Sequence, residues 1–195
     1  MIKNMPPQVS ADETSVLLEL VEQSLARAGD VVELGCYRGD TSLLLERLLE
    51  RQAPEKRLWL YDSFEGLPSK TAADASAAGE AFKPGELLVS KREVVDRFKK
   101  AGLKVPRIKK GWCEDLAEEN LPEQICFAFL DGDLYRSIKV SLQLVEGRVV
   151  NGGVIVVHDY NNPEMPGVAK AVDEWLATHK KARLSVRASL AILTV

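Results

Sequence analysis

Hydrophobic spacing changes character several times along the chain, and each change marks an element. From Ala11 to Ala28, Val16, Leu17, Leu20, Val21 and Leu25 recur at helical intervals and Gly29 closes the run, which predicts a helix. DVVELG reads as a short buried strand. TSLLLERLLERQ reads as a helix whose Leu44, Leu45, Leu48 and Leu49 form one apolar stripe with charge opposite. RLWLYD is a strand, VSKREVVDRFKKAG a helix ending at Gly102, and VPRIKKG and ICFAFLD are strands. LYRSIKVSLQLVEGRV is a helix, GGVIVVHD a strand and VAKAVDEWLATHKK a helix. The tail, ARLSVRASLAILTV, predicts two strands turning around Arg187 to Ser189.

Strands that are apolar throughout and alternate with helices build a parallel sheet covered on both faces. The two tail strands must be antiparallel, because a parallel return needs a crossover of a dozen or more residues. The expected fold is therefore α/β and Rossmann-like: a mostly parallel seven-stranded sheet, helices on both sides and a C-terminal antiparallel hairpin. Residues 29–195 make one domain, preceded by an N-terminal helical segment over 1–28. Residues 66–88 carry Ser, Ala, Gly and Pro without period, and a surface loop of that length in a compact domain suits a lid. Ligands on such a sheet sit beyond the carboxyl ends of the strands, where strand order reverses.

Composition narrows the function. The 195 residues are 46% hydrophobic and 28% charged with a net charge of -3, which lacks the basic field that nucleic-acid binding rests on. Cys36, Cys113 and Cys126 cannot all pair and none is in C-x-x-C spacing, which argues against a disulfide framework or a structural zinc. Runs such as VIVV and FAFL are too short to span a bilayer, and MIKNMPPQVS lacks the build of a secretory leader. The expected compartment is the cytoplasm, with no membrane partner.

The chemistry concentrates at strand ends. VVELGCYRGDTS puts Glu33 and Gly35 at the end of a strand and Gly39 at the entry to a helix. Glycine allows a tight turn and close backbone approach, and the helix N-terminus adds free N–H groups. The spacing is neither G-x-G-x-x-G nor a Walker A loop; a turn using two glycines for geometry alone is the plain alternative. Asp62 ends the second strand, where an acid commonly holds both ribose hydroxyls. Turn and acid together specify an adenosine-containing ligand.

VVELGCYRGDTS, LYDSFEGLP, KKGWCED, FLDGDLYRS and GGVIVVHDY, in that order, resemble the macrocin O-methyltransferase family. The resemblance runs from about Gly29 to Trp175, with DSFEGLP and LDGDLYxS its most specific pieces. It implies a class I methyltransferase fold, S-adenosylmethionine as cofactor, a hydroxylated small-molecule acceptor and a dimer. The cofactor contacts it implies are Glu33, Gly35, Tyr37, Gly39, Thr41, Ser42, Asp62, Ser63, Phe64, Gly111, Trp112 and Asp131. It also implies a magnesium ion near Asp131 and Asp159. The chain departs from the family pattern where a pair of acids precedes tyrosine, since here the run is His158-Asp159-Tyr160, and its portion before the sheet is shorter than in the macrolide enzymes.

Residue types at the last two parallel strand ends fit that chemistry. Asp131 and Asp133 follow one strand, and His158 and Asp159 end the next; neighbouring strands lie ~4.8 Å apart, so their terminal side chains can meet on one ion. Carboxylates suit magnesium, and an imidazole tilts the set toward manganese or another divalent metal. A cation lowers the pKa of a bound hydroxyl, and a neighbouring base takes its proton. Asp131, Asp159 and His158 are the candidate ligands; either Asp131 or His158 is the base. Asp133 alternatively caps the helix beginning at Leu134, and His158 alternatively is a core histidine. His179, Trp59 and Trp175 read as structural, the two tryptophans at core-facing positions, and Tyr160 as a candidate acceptor-pocket residue. A D-x-D phosphatase, a D-x-D glycosyltransferase and a non-catalytic cofactor-binding relic of the same fold are the competing readings.

Overall fold

Seven strands form one mixed sheet in the computed structural model, which describes residues 7–77, 79 and 81–195. The first six residues of the N-terminal segment and positions 78 and 80 of the 66–88 loop lie outside the described residues. In chain order the elements are α1 Ala11–Ser24, β1 Asp30–Leu34, α2 Asp40–Gln52, β2 Leu58–Asp62, α3 Lys91–Lys100, β3 Arg107–Lys110, β4 Ile125–Leu130, α4 Tyr135–Glu146, β5 Val149–Val157, α5 Pro166–Thr178, β6 Arg183–Arg187 and β7 Leu190–Thr194. Spatial order is β3-β2-β1-β4-β5-β7-β6. β1 to β5 run parallel, and β7 is antiparallel to both β5 and β6, as the short tail turn requires. From β1 the chain first builds toward β3, then returns to build outward from β4. The switch point therefore lies between β1 and β4.

Apolar stripes explain the layers. Leu17, Leu20 and Val21 of α1, Leu45 and Leu49 of α2, and Val94 and Phe98 of α3 cover one face. Ile138, Leu142 and Val145 of α4 with Val168, Val172 and Trp175 of α5 cover the other. β4, central and buried at every residue, anchors both layers. Each large side chain taken out of water in this way contributes roughly 1.5–3 kcal/mol.

Several expected boundaries move. α1 stops at Ser24 rather than Ala28, with Leu25 as its C-cap, and the chain turns through Gly29 at φ 99 to enter β1. α4 stops at Glu146 and β5 starts at Val149, because Val149 pairs with Ile125 in the sheet; Gly152 at φ 75 then lets the strand bulge before it rejoins β4. Trp59 is only half-buried: its Nε1–H donates to Asp30 at 2.8 Å and the Arg107 guanidinium lies 4.7 Å from its ring centre. Trp175 is buried and stacks on His179, whose place at the end of α5 is structural.

The 66–88 loop is held at both ends and in its middle. Leu67 N–H donates to the Glu86 carbonyl at 2.8 Å and Gly85 N–H to the Leu67 carbonyl at 2.9 Å, which pinches the loop shut at its base. In the middle, a 3-10 turn over Ala72–Asp74 buries Asp74, whose carboxylate accepts from Thr71 N–H and Oγ1–H and, at 2.7 Å, from Tyr135 N–H of α4. The helix after β4 is thus capped by Asp74 across the fold, and not by Asp133. Its N-cap residue, Leu134, has no side-chain acceptor to offer.

Candidate active site

A cavity of about 350 Å³ opens over the carboxyl ends of the strands at the switch point. Its position is the one the topology favours for a ligand. Its walls come from the β1 turn, the β2 end, the turn after β3, the β4 and β5 ends, and the 66–88 loop.

On the β1 side the wall is mostly backbone. Gly35 has φ 88, and a Cβ there would lie 2.0 Å from the Asp131 carbonyl oxygen, so only glycine lets the β1 and β4 ends meet. Asp62 organises the turn: its Oδ2 accepts from Cys36 N–H at 3.0 Å and Tyr37 N–H at 2.9 Å, and its Oδ1 from Phe64 N–H at 2.8 Å. A carboxylate offers about four acceptor positions, so Asp62 keeps capacity facing the cavity for a ligand hydroxyl. Ser63, Gly111 and Trp112 complete this wall, and Gly111 N–H is tied to the Asp62 carbonyl at 2.9 Å.

Glu33, Gly39, Thr41, Ser42 and Phe64 do not line the cavity. Glu33 lies beneath the turn, 1% exposed, and accepts a 2.5 Å hydrogen bond from Ser42 Oγ. Burial pushes its carboxyl up to about 8, with the charges of Asp131 and Asp62 adding to the rise. Gly39, at φ 76, serves as the N-cap residue of α2.

The β4–β5 side is built from charge. Asp131 Oδ1 and Asp159 Oδ2 lie 2.9 and 3.0 Å from the same atom, His158 Nδ1. His158 Nε2 lies 3.6 Å from Glu13 Oε2 of α1. Burial alone would lower the imidazole's pKa, but Asp131 and Asp159 overcome it and hold the ring protonated, up to about 12. Asn162 Nδ2–H steadies the other Asp159 oxygen at 2.9 Å. Asp133 lines the cavity beside them, its carboxyl raised by burial and then by the Asp131 and Asp159 charges. Tyr160 turns away, its hydroxyl on Asp173 at 2.9 Å.

Tyr37, Phe82, Leu87, Asp133 and Asp159 all line the cavity with positive φ, a conformation non-glycine residues adopt at a cost of order 1–3 kcal/mol. Of these, Phe82 and Leu87 went unread in the sequence, as did Gln8, Asn162 and Met165 of the same wall. Glu13 is half of a capping box with Ser10 at the start of α1. Nothing local marks it as a neighbour of His158.

Asp131, Asp159 and His158 present ligand atoms within 4.8 Å of one another. That spacing and the mixed oxygen and nitrogen donors fit one divalent ion, with the imidazole giving up its proton on coordination.

The strand order, the glycine-and-aspartate turn and the cavity at the switch point define a class I methyltransferase fold. Solved structures agree: the O-methyltransferase NovP superposes with a TM-score of 0.85 at 25% identity, over 98% of this chain and 82% of that one. An O-methyltransferase from Bacillus cereus, solved in complex with SAH, shares the fold at a TM-score of 0.68 and 15% identity, over 98% of this chain and 84% of its own. Within that class the chain belongs to the macrocin-O-methyltransferase (TylF) family, whose model matches residues 13–185. A tetracenomycin-C 4'-O-methyltransferase of Streptomyces olivaceus, acting on a dimethoxy-rhamnosyl derivative, is 31% identical over 68% of this chain and 53% of its own length. Demethyldecarbamoylnovobiocin O-methyltransferase of Streptomyces niveus is 30% identical over 76% of this chain and 58% of its own. The chain thus spans little more than half the length of these curated relatives. Among the described residues no helix is long and apolar enough to cross a membrane.

Proposed function

We propose that the chain binds S-adenosylmethionine along the Gly35–Asp62–Trp112 wall and methylates a hydroxyl of a small acceptor, a sugar or vicinal diol, placed against Asp131 and Asp159. The observation that carries this reading is the sharing of one cavity by the two walls. A ribose-gripping turn and a carboxylate cluster open into the same space. The relatives named above act on natural products.

The cofactor's part is to supply an electrophilic methyl group on a positively charged sulfur. Asp62 takes the ribose hydroxyls, and Trp112 offers its ring to the adenine. Asp131, Asp159 and His158 would hold a divalent cation, which would supply Lewis acidity toward the acceptor hydroxyl. Of the two candidates for base, Asp131 is favoured. Its carboxylate has a second oxygen to take a proton while the first would hold the cation, whereas the His158 nitrogen that would hold the cation has no further lone pair. Asp131 would take the proton of the acceptor hydroxyl as that oxygen receives the methyl group the cofactor would supply. The segment before α1, through Gln8, and the 66–88 loop, through Phe82 and Leu87, close the acceptor side.

Calorimetric titration with S-adenosylhomocysteine, with and without magnesium or manganese, tests the cofactor half. Transfer of labelled methyl to a panel of glycosides and diols tests the acceptor half. Saturable one-site binding and labelled product are expected. Binding of a sugar nucleotide or phosphate analogue in place of S-adenosylhomocysteine would overturn the reading. Cofactor binding without turnover on any acceptor would point to a relic of the fold.

A further inference from the structure

The same Ser-x-x-Glu capping box opens two α-helices of this molecule, α1 and α3, and the two copies differ in one respect. At α3, Ser90 Oγ accepts from Glu93 N–H at 3.2 Å, and Glu93 Oε2 accepts from Ser90 N–H at 2.8 Å and Ser90 Oγ–H at 2.7 Å. Glu93 sits in water. At α1, Ser10 and Glu13 repeat the pattern at 3.3, 2.9 and 2.7 Å, yet Glu13 is 7% exposed. Capping does not require that burial, since α3 is capped equally well by a solvated carboxylate. Burying a carboxylate is unfavourable unless its remaining acceptor positions are filled. In Glu13 they are: Oε1 accepts from Ser189 Oγ–H of the β6–β7 turn, and Oε2 faces His158 Nε2 at 3.6 Å.

His158 is thereby held at both ends of its ring. Nδ1 addresses Asp131 and Asp159, Nε2 addresses Glu13, and the Phe129 ring packs near-edgewise against its face with centres 6.2 Å apart. A half-turn of the ring about its Cβ–Cγ bond would take Nδ1 off the two aspartates. The Glu13 contact, at the opposite nitrogen, opposes that rotation from outside the β4–β5 cluster.

We propose that Glu13 is a positioning residue for the active site: the capping carboxylate of α1 locks the His158 ring so that Nδ1 stays between Asp131 and Asp159. The β6–β7 turn, through Ser189, and the start of α1, through Ser10, then share one carboxylate with the reaction centre.

The orientation half of this inference is independent of the methyl-transfer reading, and the kinetic half rests on it. The chain has two histidines, so nitrogen-15 ring correlations of the whole protein are simple to assign with a His179→Asn variant. Glu13→Ala and Glu13→Gln are expected to shift the His158 ring nitrogens and shorten the lifetime of its N–H protons. Glu93→Gln, in the twin cap, is expected to leave them in place while lowering thermal stability to a similar extent. In the methyl-transfer assay Glu13→Ala is expected to lower kcat roughly 10–100-fold, as loss of a partner that orients a site's ligands does, with KM for S-adenosylmethionine within about twofold of wild type. Glu13→Gln, which keeps one acceptor oxygen, falls between. Unmoved His158 resonances in a folded Glu13→Gln protein would overturn the proposal, whatever the activity. Shifted resonances with no methyl transfer by the wild type would leave the positioning intact and remove the catalytic reading instead. Should Glu13→Ala fail to fold, the Gln variant carries the test alone.

Discussion

At the β1–β2 end of the cavity the protein presents backbone, and at the β4–β5 end it presents charge. The first end is laced by hydrogen bonds that Asp62 accepts from three N–H groups, and it admits no side chain at Gly35. The second end gathers Asp131, Asp133 and Asp159 around one imidazolium. A backbone cradle needs little more than glycine and one carboxylate to hold its shape. A cluster of like charges needs a counter-charge, and that counter-charge comes from His158, itself steadied by Glu13 on a different element. The difference predicts that damage to the two ends will show in different measurements.

The largest effect is expected at Gly35→Ala, where the new methyl meets the Asp131 carbonyl and the backbone sits at φ 88. A loss of at least about 3 kcal/mol in urea unfolding, with S-adenosylhomocysteine binding abolished, is expected. An unchanged midpoint would show that the two strand ends do not need to touch. Next comes the paired test of roles. Asp62→Ala is expected to weaken S-adenosylhomocysteine binding by about 100-fold, since hydrogen bonds to a charged acceptor contribute roughly 1.5–3 kcal/mol each. Asp159→Ala is expected to lower turnover by a comparable factor while the dissociation constant moves less than about threefold. Equal losses of cofactor affinity in both variants would erase the division between backbone and charge.

Glu33 sharpens the comparison through pH. Its folded pKa is raised from 4.5 to about 8 by burial, so its contribution to stability is complete below pH 4.5 and declines as pH rises through 8. Glu33→Gln keeps an acceptor for Ser42 and removes the titration. The variant is expected to match wild type near pH 4.5 and to gain on it by about 1.4 kcal/mol per pH unit at most across that window. Parallel stability curves from pH 4.5 to 8 would mean that Glu33 is ionised in the native protein. The smallest effect is expected at Asp74→Ala: about 1–2 kcal/mol of stability from the lost cap on α4, and faster proteolysis within 66–88. An unchanged cleavage rate would show that the loop is held by its base alone.

Much of this fold was legible residue by residue. Period-3.6 stripes mark the five helices, apolar runs mark the parallel strands other than the mostly exposed β3, and the short turn after Arg187 dictates an antiparallel pair. Cavity-lining residues that were legible, among them Gly35, Asp62, Trp112, Asp131, His158 and Asp159, stand at strand ends or in the turns that follow. The cap reading of Asp133 fails, because Asp74 takes the Tyr135 N–H of α4 from a loop whose placement no local rule describes. Glu33 shows what the sequence leaves out: next to a glycine turn it reads as a ligand contact, and its burial against Ser42 of α2 comes from the packing of α2 over β1.

Periodicity, turn chemistry and motif order are short-range properties, set by backbone geometry over a few residues, and the chain declares them before it folds. Strand order, the meeting of Glu13 with His158, and the capping of α4 by Asp74 bring together residues far apart along the chain. Their proximity comes from which layers of side chains pack against which face of the sheet, a choice made by the summed burial of the whole core and by no segment of it.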